Sequence, residues 1–333
     1  MSSKVLSFKS SKNLNEVVQD SHLSVTEKQS RMLDLSAKTQ EISAKDANSL
    51  VFLAKPFIQT TLPHRDPGDI RVWVRKNGKL TLSIKPGYEE NTATGKHESI
   101  GIPYGSIPRL LLIWMNTEAL RTGRKTLELG HNLSEFMRQL GLDPTQGGKR
   151  GDIARLKDQM TRMFRSLISL DEVLQTEKGA SKRWIDMQVV SLGCMSWFNT
   201  RDYRFNADPK SLQEEIDGSW IQLTDLFHES ITSSTIPLDM RIIQELKQSP
   251  LALDIYAWMV HRTFGTYETI SKKPSFVTWQ QLHDQFGTNY WDINNFKKKA
   301  KKILNTIQVI SNNLSIEDVS GGIRIFKKLI RLK

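Results

Sequence analysis

Two stretches of the chain carry side chains suited to gripping a polyanion. Residues 149–165 hold six Lys/Arg against two Asp/Glu. On a helix of 3.6 residues per turn, Ile153, Leu156, Met160, Phe164 and Leu167 form one apolar stripe. Arg155, Asp158, Arg162 and Arg165 then fall on the opposite side, with Lys149 and Arg150 at the N-terminal lip. An arginine fork can hold phosphate or bond guanine O6 and N7 bidentately, and Gln159 has the donor–acceptor pair that matches adenine. The run Gly147-Gly148-Lys149-Arg150-Gly151 adds backbone N–H groups and the positive end of a helix dipole. An ordinary solvated helix face would also carry such charges, and Asp158 favours that plainer reading.

The second stretch, residues 291–333, holds ten Lys/Arg against three Asp/Glu. Lys297, Lys298, Lys299, Lys301 and Lys302 have no acid among them. Neighbouring lysines repel, and phosphate would relieve that repulsion. Asn289, Tyr290, Asn294 and Asn295 stand at the front of the same helix, expected over 290–305, and Asn can read adenine. Arg324, Lys327 and Lys328 lie where a hairpin could reach a flanking sugar–phosphate backbone. The two stretches carry +4 and +7, the whole of the chain's net +11. Charge concentrated in this way marks a binding surface better than charge spread evenly. About six phosphate contacts would give a log–log salt slope near −5.

Catalytic signatures are missing. Gly148-Lys149 resembles the end of a phosphate-binding loop, but Arg150 stands where Ser or Thr should hold magnesium. No two histidines are spaced His-x-His, none opens His-x-x-Arg, and His-Glu-x-x-His is absent. Glu214-Glu215 reads as solvated surface. One cysteine, Cys194, allows no internal disulfide and no cysteine-cluster metal site, and it reads as buried rather than nucleophilic. The reading is therefore no enzyme, no cofactor and no metal. The longest apolar run, Leu110-Leu111-Leu112-Ile113-Trp114-Met115, is far short of the ~20 residues that span a bilayer. No signal peptide is visible, so a cytoplasmic protein is expected.

The elements that must position these groups follow from periodicity. Residues 1–65 read as a tail plus one helix opened by Ser24-Val25-Thr26-Glu27, either docked or partly disordered. Ile70, Val72 and Val74, then Leu80, Leu82 and Ile84, alternate as a hairpin around Asn77-Gly78, where a type I′ turn is expected. Next come a helix from Pro108 to Thr122, a short strand at 126–129, a short helix ended by Gly141, and the longer helix at 152–168. A strand at 183–190 is expected to pair with one at 220–223. That order is a winged helix. It recurs: a helix at 252–260, a strand and helix from Phe276 to Gly287, the Lys-rich helix, then strands at 308–310 and 323–326 around Gly321-Gly322. Trp114 precedes Gly141 by 27 residues and Trp258 precedes Gly287 by 29. The expected fold is α+β, with a first winged-helix domain over 66–228 and a second over 229–333. The eight tryptophans mostly sit in apolar patterns and read as core.

Residues 63–171 resemble the plasmid-encoded RepA family of replication initiators. The matching residues are Pro63-His64-Arg65-Asp66-Pro67-Gly68, Arg75-Lys76-Asn77-Gly78, the run from Ile102 to Leu112, Thr117-Glu118-Ala119-Leu120-Arg121-Thr122, Leu133-Ser134-Glu135-Phe136-Met137 and Gly147-Gly148-Lys149-Arg150-Gly151. The resemblance runs to about residue 315, and the first 60 residues match nothing nameable. It implies an origin-binding initiator that binds repeated sites (iterons), helps open an AT-rich segment and recruits host DnaA and the replicative helicase. It also implies a monomer in equilibrium with a homodimer inactive for initiation, hence plasmid copy control. The alternative is a winged-helix transcriptional repressor without an initiator role.

If the two Lys/Arg-bearing helices read successive grooves, Arg162→Ala should weaken binding at specific sites by about 1–3 kcal/mol and leave non-specific binding less affected. Electrophoretic mobility shifts on cognate and scrambled duplexes measure that difference.

Overall fold

The computed structural model describes residues 25–91, 94–145, 151–176, 179–197, 218–264, 274–287, 290, 292–311 and 314–326. It divides into two compact units. A split unit joins residues 1–64 to 236–333, and an inserted unit comprises 65–235. In its described part the N-terminal segment therefore belongs to the split unit.

Helix α1 (Val25–Glu41) starts directly after Ser24 and packs against the Lys-rich helix near the chain's C-terminus. Its sparse apolar residues divide: Met32 is buried, while Leu33 and Ile42 stay exposed. Polar groups complete the docking. Arg31 pairs with Glu245 at 2.7 Å, and Thr39 Oγ1 donates to the Ile310 carbonyl. At the end of α1, Arg241 donates to the Lys38 and Ile42 carbonyls, while the buried Asp239 accepts from its guanidinium. Strand β1 (Leu50–Ala54) and helix α2 (Lys55–Gln59) follow, with Phe57 and Ile58 buried. His64 Nε2 lies 2.7 Å from Asp254 Oδ2, both side chains almost fully buried. That pair ties down the last residue before the chain enters the inserted unit.

The inserted unit opens with β2 (Trp73–Asn77) and β3 (Leu80–Lys85). Asn77 pairs with Leu80, so the turn is Gly78-Lys79, and only Gly78 has positive φ. This is the II′ pattern, with glycine first, rather than the expected I′. Strands β4 (Tyr88–Asn91) and β5 (Lys96–Ser99) form a separate arm. Helix α3 (Ser106–Thr122) is buried without a break from Ser106 to Asn116 and is the core helix. Then come β6 (Thr126–Gly130), α4 (Leu133–Gln139), α5 (Asp152–Phe164), β7 (Leu167–Thr176), β8 (Gly179–Gln188), β9 (Val190–Cys194), β10 (Ser219–Leu223) and α6 (Asp225–Thr232). Helix α5 stops at Phe164, four residues short of expectation, because Leu167 already pairs in β7. The 183–190 segment also pairs differently: β8 lies along β7, and β10 lies between β6 and β9. Cys194 is exposed.

The split unit resumes with β11 (Thr235–Asp239), paired to β1, and α7 (Met240–Leu246). Helix α8 (Pro250–Phe264), β12 (Ser275–Thr278), α9 (Trp279–Phe286), α10 (Ile293–Ile310), β13 (Ser315–Val319) and β14 (Gly322–Phe326) complete it. The expected strand at 308–310 is the last turn of α10, and the hairpin strand begins at Ser315 instead. Apolar positions at 303, 304, 307 and 310 keep helical period and bury the helix's end.

The two units share the order helix, strand, helix, longer helix, strand, strand. In each, the first helix's tryptophan meets a phenylalanine of the next helix edge-on: Trp114–Phe136 at 5.0 Å, Trp258–Phe286 at 5.9 Å. They differ in sheet closure. In the split unit β12 pairs directly with β14, whereas in the inserted unit β10 intervenes. No helix among the described residues is long and apolar enough to cross a membrane.

His261, on α8, is held neutral: burial, with Lys55 and Arg262 beside it, lowers its pKa to about 4. The unfolded chain binds this proton near pH 6.5, so stability from the neutral ring is full above that pH and is lost as pH falls toward 4. His261→Gln should therefore flatten the acid side of the stability curve by about 1–2 kcal/mol. Denaturant unfolding of both proteins at pH 7 and pH 4.5 checks it; equal losses for the two would refute it.

Candidate nucleic-acid interface

Helix α10 begins at a firm cap. Asp292 accepts from the backbone N–H groups of Asn294 and Asn295 at 3.0 and 3.3 Å. The turn before it is clamped by aromatics. His283 and Tyr290 both meet the buried Phe296 ring edge-on, and His283 Nε2 lies 3.0 Å from the Tyr290 carbonyl. A side chain at Gly287 would strike His283. Tyr290, expected at the front of the binding helix, thus has its ring committed to packing.

From this start, Phe296, Ala300, Ile303, Leu304, Ile307 and Ile310 face the core. The five lysines divide accordingly. Lys297 and Lys301, one turn apart, stand 5.5 and 5.6 Å from the ring of Trp279, and Lys301 also pairs with Asp318 on β13. Lys298 and Lys299 point to solvent and Lys302 is half-exposed. None of these three makes an ion pair among the described residues. Asn294 and Asn295 are exposed one turn earlier. Steps of three and four thus set Asn295, Lys298, Lys299 and Lys302 along one face. Arg324 on β14 is exposed and lies 3.4 Å from Glu317. Asn289, Lys327 and Lys328 fall outside the described residues, as do Lys149 and Arg150.

Helix α5 is electrically different. Leu156, Met160, Met163 and Phe164 form its buried stripe, with Ile153 half-buried. Gln159, expected to read adenine, is 4% exposed. Its Oε1 accepts from the Tyr104 backbone and its Nε2 donates to Asp158, so it offers nothing to a base. Position 159 neighbours Leu156 and Met160 on the helical wheel, which a glance at residue type overlooks. Arg155 is exposed but pairs with Asp152 at 3.2 Å. Arg162, its side chain only 18% exposed, donates to Asp158 at 3.0 Å and to the Ile102 carbonyl, with Asp66 3.9 Å away. Its guanidinium also stacks over Tyr104, and only a glycine at 101 leaves room for it. Burial, then the Asp66 charge, pushes the Tyr104 phenol above its usual pKa. Arg165 donates to the Tyr88 carbonyl, with its Cβ and carbonyl oxygen pressed on Gly87.

Arg162 and Arg165 therefore pin the β4–β5 arm and the loop after it to α5, rather than waiting for a ligand. Sequence reasoning missed this because Asp66 and Tyr104 lie far away along the chain. No group of three or more His, Cys, Asp or Glu that could hold a metal occurs among the described residues.

This geometry alters what Arg162→Ala should do. It removes an ion pair and a cation–π contact, so it should lower stability by about 1–2 kcal/mol. Arg162→Lys should not restore it, because an ammonium cannot stack as a plane. Urea midpoints of the three proteins test this; an unchanged midpoint with lost duplex affinity would return Arg162 to the interface.

Among solved structures, the chain resembles a selenomethionine derivative of domains 2 and 3 of RctB, with TM-score 0.48 and 8% identity, over 81% of this chain and 94% of that one. A second structure of RctB domains 2–3 aligns with TM-score 0.43 and 11% identity, over 81% and 96%. No curated protein matches the sequence. A family model described as plasmid-encoded RepA protein matches residues 102–281, more than half of the chain. The match takes in α3 and α5 of the inserted unit and α8 of the split unit, and the chain accordingly belongs to the plasmid-encoded RepA family of replication proteins.

Proposed function

We propose that this protein initiates plasmid replication by binding repeated sites in the origin through tandem winged-helix units, acting by binding rather than by catalysis. The split unit supplies the principal duplex contact. Helix α10 enters the major groove with Asn294 and Asn295 toward base edges, while Lys298, Lys299 and Lys302 neutralise phosphates. Arg324 on the β13–β14 hairpin reaches the neighbouring backbone. The observation that carries this reading is the acid-free outward face of α10. Three cations left without counter-charges are costly to gather on one face unless a polyanion completes them.

The inserted unit contributes less. Of its four described candidates, Gln159 and Arg162 are committed within the unit and Arg165 is held by the Tyr88 carbonyl, which leaves the exposed Arg155 for phosphate. Opening of an AT-rich segment and recruitment of host DnaA and the replicative helicase follow from origin binding in this scheme. A homodimer in equilibrium with the monomer would set copy number.

The double variant Lys298→Ala/Lys299→Ala should lose affinity for origin duplex and flatten the log–log salt slope by about 2. Fluorescence anisotropy on an origin duplex, titrated from low to high salt, reads both quantities. A slope equal to wild type would mean that these lysines do not meet phosphate. Footprinting on the plasmid itself should show protected direct repeats.

A further inference from the structure

The split unit has a second surface with nucleic-acid chemistry, on its sheet rather than on α10, and Arg324 serves both readings in turn. In the sheet β12-β14-β13, Phe276 lies directly opposite Arg324, and Arg324 lies opposite Glu317. Phe326, two residues on from Arg324, shares their face, while Val277, Ile323 and Ile325 point the other way into the core. That open face therefore carries phenylalanine, arginine and phenylalanine in a row. Phe276 is 51% exposed and Phe326 37%.

The ring of Phe276 is seated rather than dangling. It lies over Gly322, where any Cβ would meet ring carbons at 2.9 Å. The Cε2–Cζ edge of the ring is thus held close to the backbone at Gly322, while half of the side chain stays exposed. As diagonal neighbours on antiparallel strands, Phe276 and Phe326 are about 7–8 Å apart at Cα, a spacing that suits successive unstacked bases. Between them Arg324 is steadied by Glu317 at 3.4 Å. An exposed arginine beside two exposed aromatic rings favours an occupant with both bases and phosphates over an apolar peptide.

We propose that this face is a stacking platform for single-stranded DNA, on which Phe276 and Phe326 take unpaired bases and Arg324 takes the phosphate between them. It rests on the DNA-binding reading above and extends it: one unit holds duplex with α10 and unpaired strand with its sheet. Stacking on an aromatic ring tolerates any base, so the platform discriminates strandedness and not sequence.

The test uses the full-length protein and two fluorescent probes, an origin duplex and a twelve-nucleotide oligothymidine. Phe276→Leu/Phe326→Leu keeps apolar bulk on the sheet and removes the π-faces. It should weaken oligothymidine binding roughly ten-fold or more and leave duplex affinity within two-fold. Phe326→Trp should bind oligothymidine at least as tightly, with its added fluorescence quenched on stacking. Glu317→Gln should tighten single-strand binding by removing a competing carboxylate. Unchanged oligothymidine affinity in the leucine variant, with duplex binding intact, overturns the platform and leaves the duplex reading standing. Wild-type protein that binds neither probe overturns both. Loss of self-association in place of oligonucleotide binding, seen by sedimentation, would assign the face to a second copy of the chain and overturn the proposal.

Discussion

Burial of Phe296, Ala300, Ile303, Leu304, Ile307 and Ile310 fixes the rotation of α10 about its own axis, and that rotation sorts its lysines. Each step of one residue turns the side chain by about 100°. Lys297 and Lys301 are carried onto the flank where Trp279 stands, and Lys298, Lys299 and Lys302 are carried away from it. The tryptophan ring draws two ammonium groups against it and leaves the remaining three uncompensated. The aromatic clamp at His283, Tyr290 and Phe296 and the Asp292 cap set where the helix begins, and so which lysine has which fate.

The same argument applied to α5 gives the opposite result. Its outward arginines meet carboxylates at every turn: Asp152 for Arg155, Asp158 and Asp66 for Arg162. Arg162 and Arg165 serve as rivets for the β4–β5 arm and the loop after it, seated where Gly101 and Gly87 leave space. Two helices in equivalent places in a repeated element order thus differ: one leaves three lysines uncompensated, and the other turns its arginines toward the unit's own loops. The inserted strand β10, which separates β6 from β9, shows the same divergence in the sheet.

Residues 25–64 gain meaning from the unit they join. Arg241 closes the exposed end of α1, and the His64–Asp254 pair anchors the point where the chain departs. Helix α1 packs along α10, so the N-terminal segment braces the helix proposed to hold duplex DNA. Its weak apolar pattern concealed this role, because the docking relies on Met32 and on polar contacts to residues some two hundred positions away.

Local pattern determined much of this protein. Helix periodicity announced α3, α8 and α10, the glycine at 78 announced a hairpin, and the concentration of charge after Trp291 picked out the lysine-bearing helix, because each of these signals acts within a few residues along the chain. The motifs from Pro63 to Gly151 were enough to indicate the family. Only the tertiary structure decided which cations are available. Whether Arg162 faces solvent depends on Asp66 and Tyr104, whether Lys301 does depends on Trp279 and Asp318, and where the Phe276 ring sits depends on Gly322. A charge is neutralised by whatever the fold brings within a few ångströms of it, and sequence spacing carries no record of that distance.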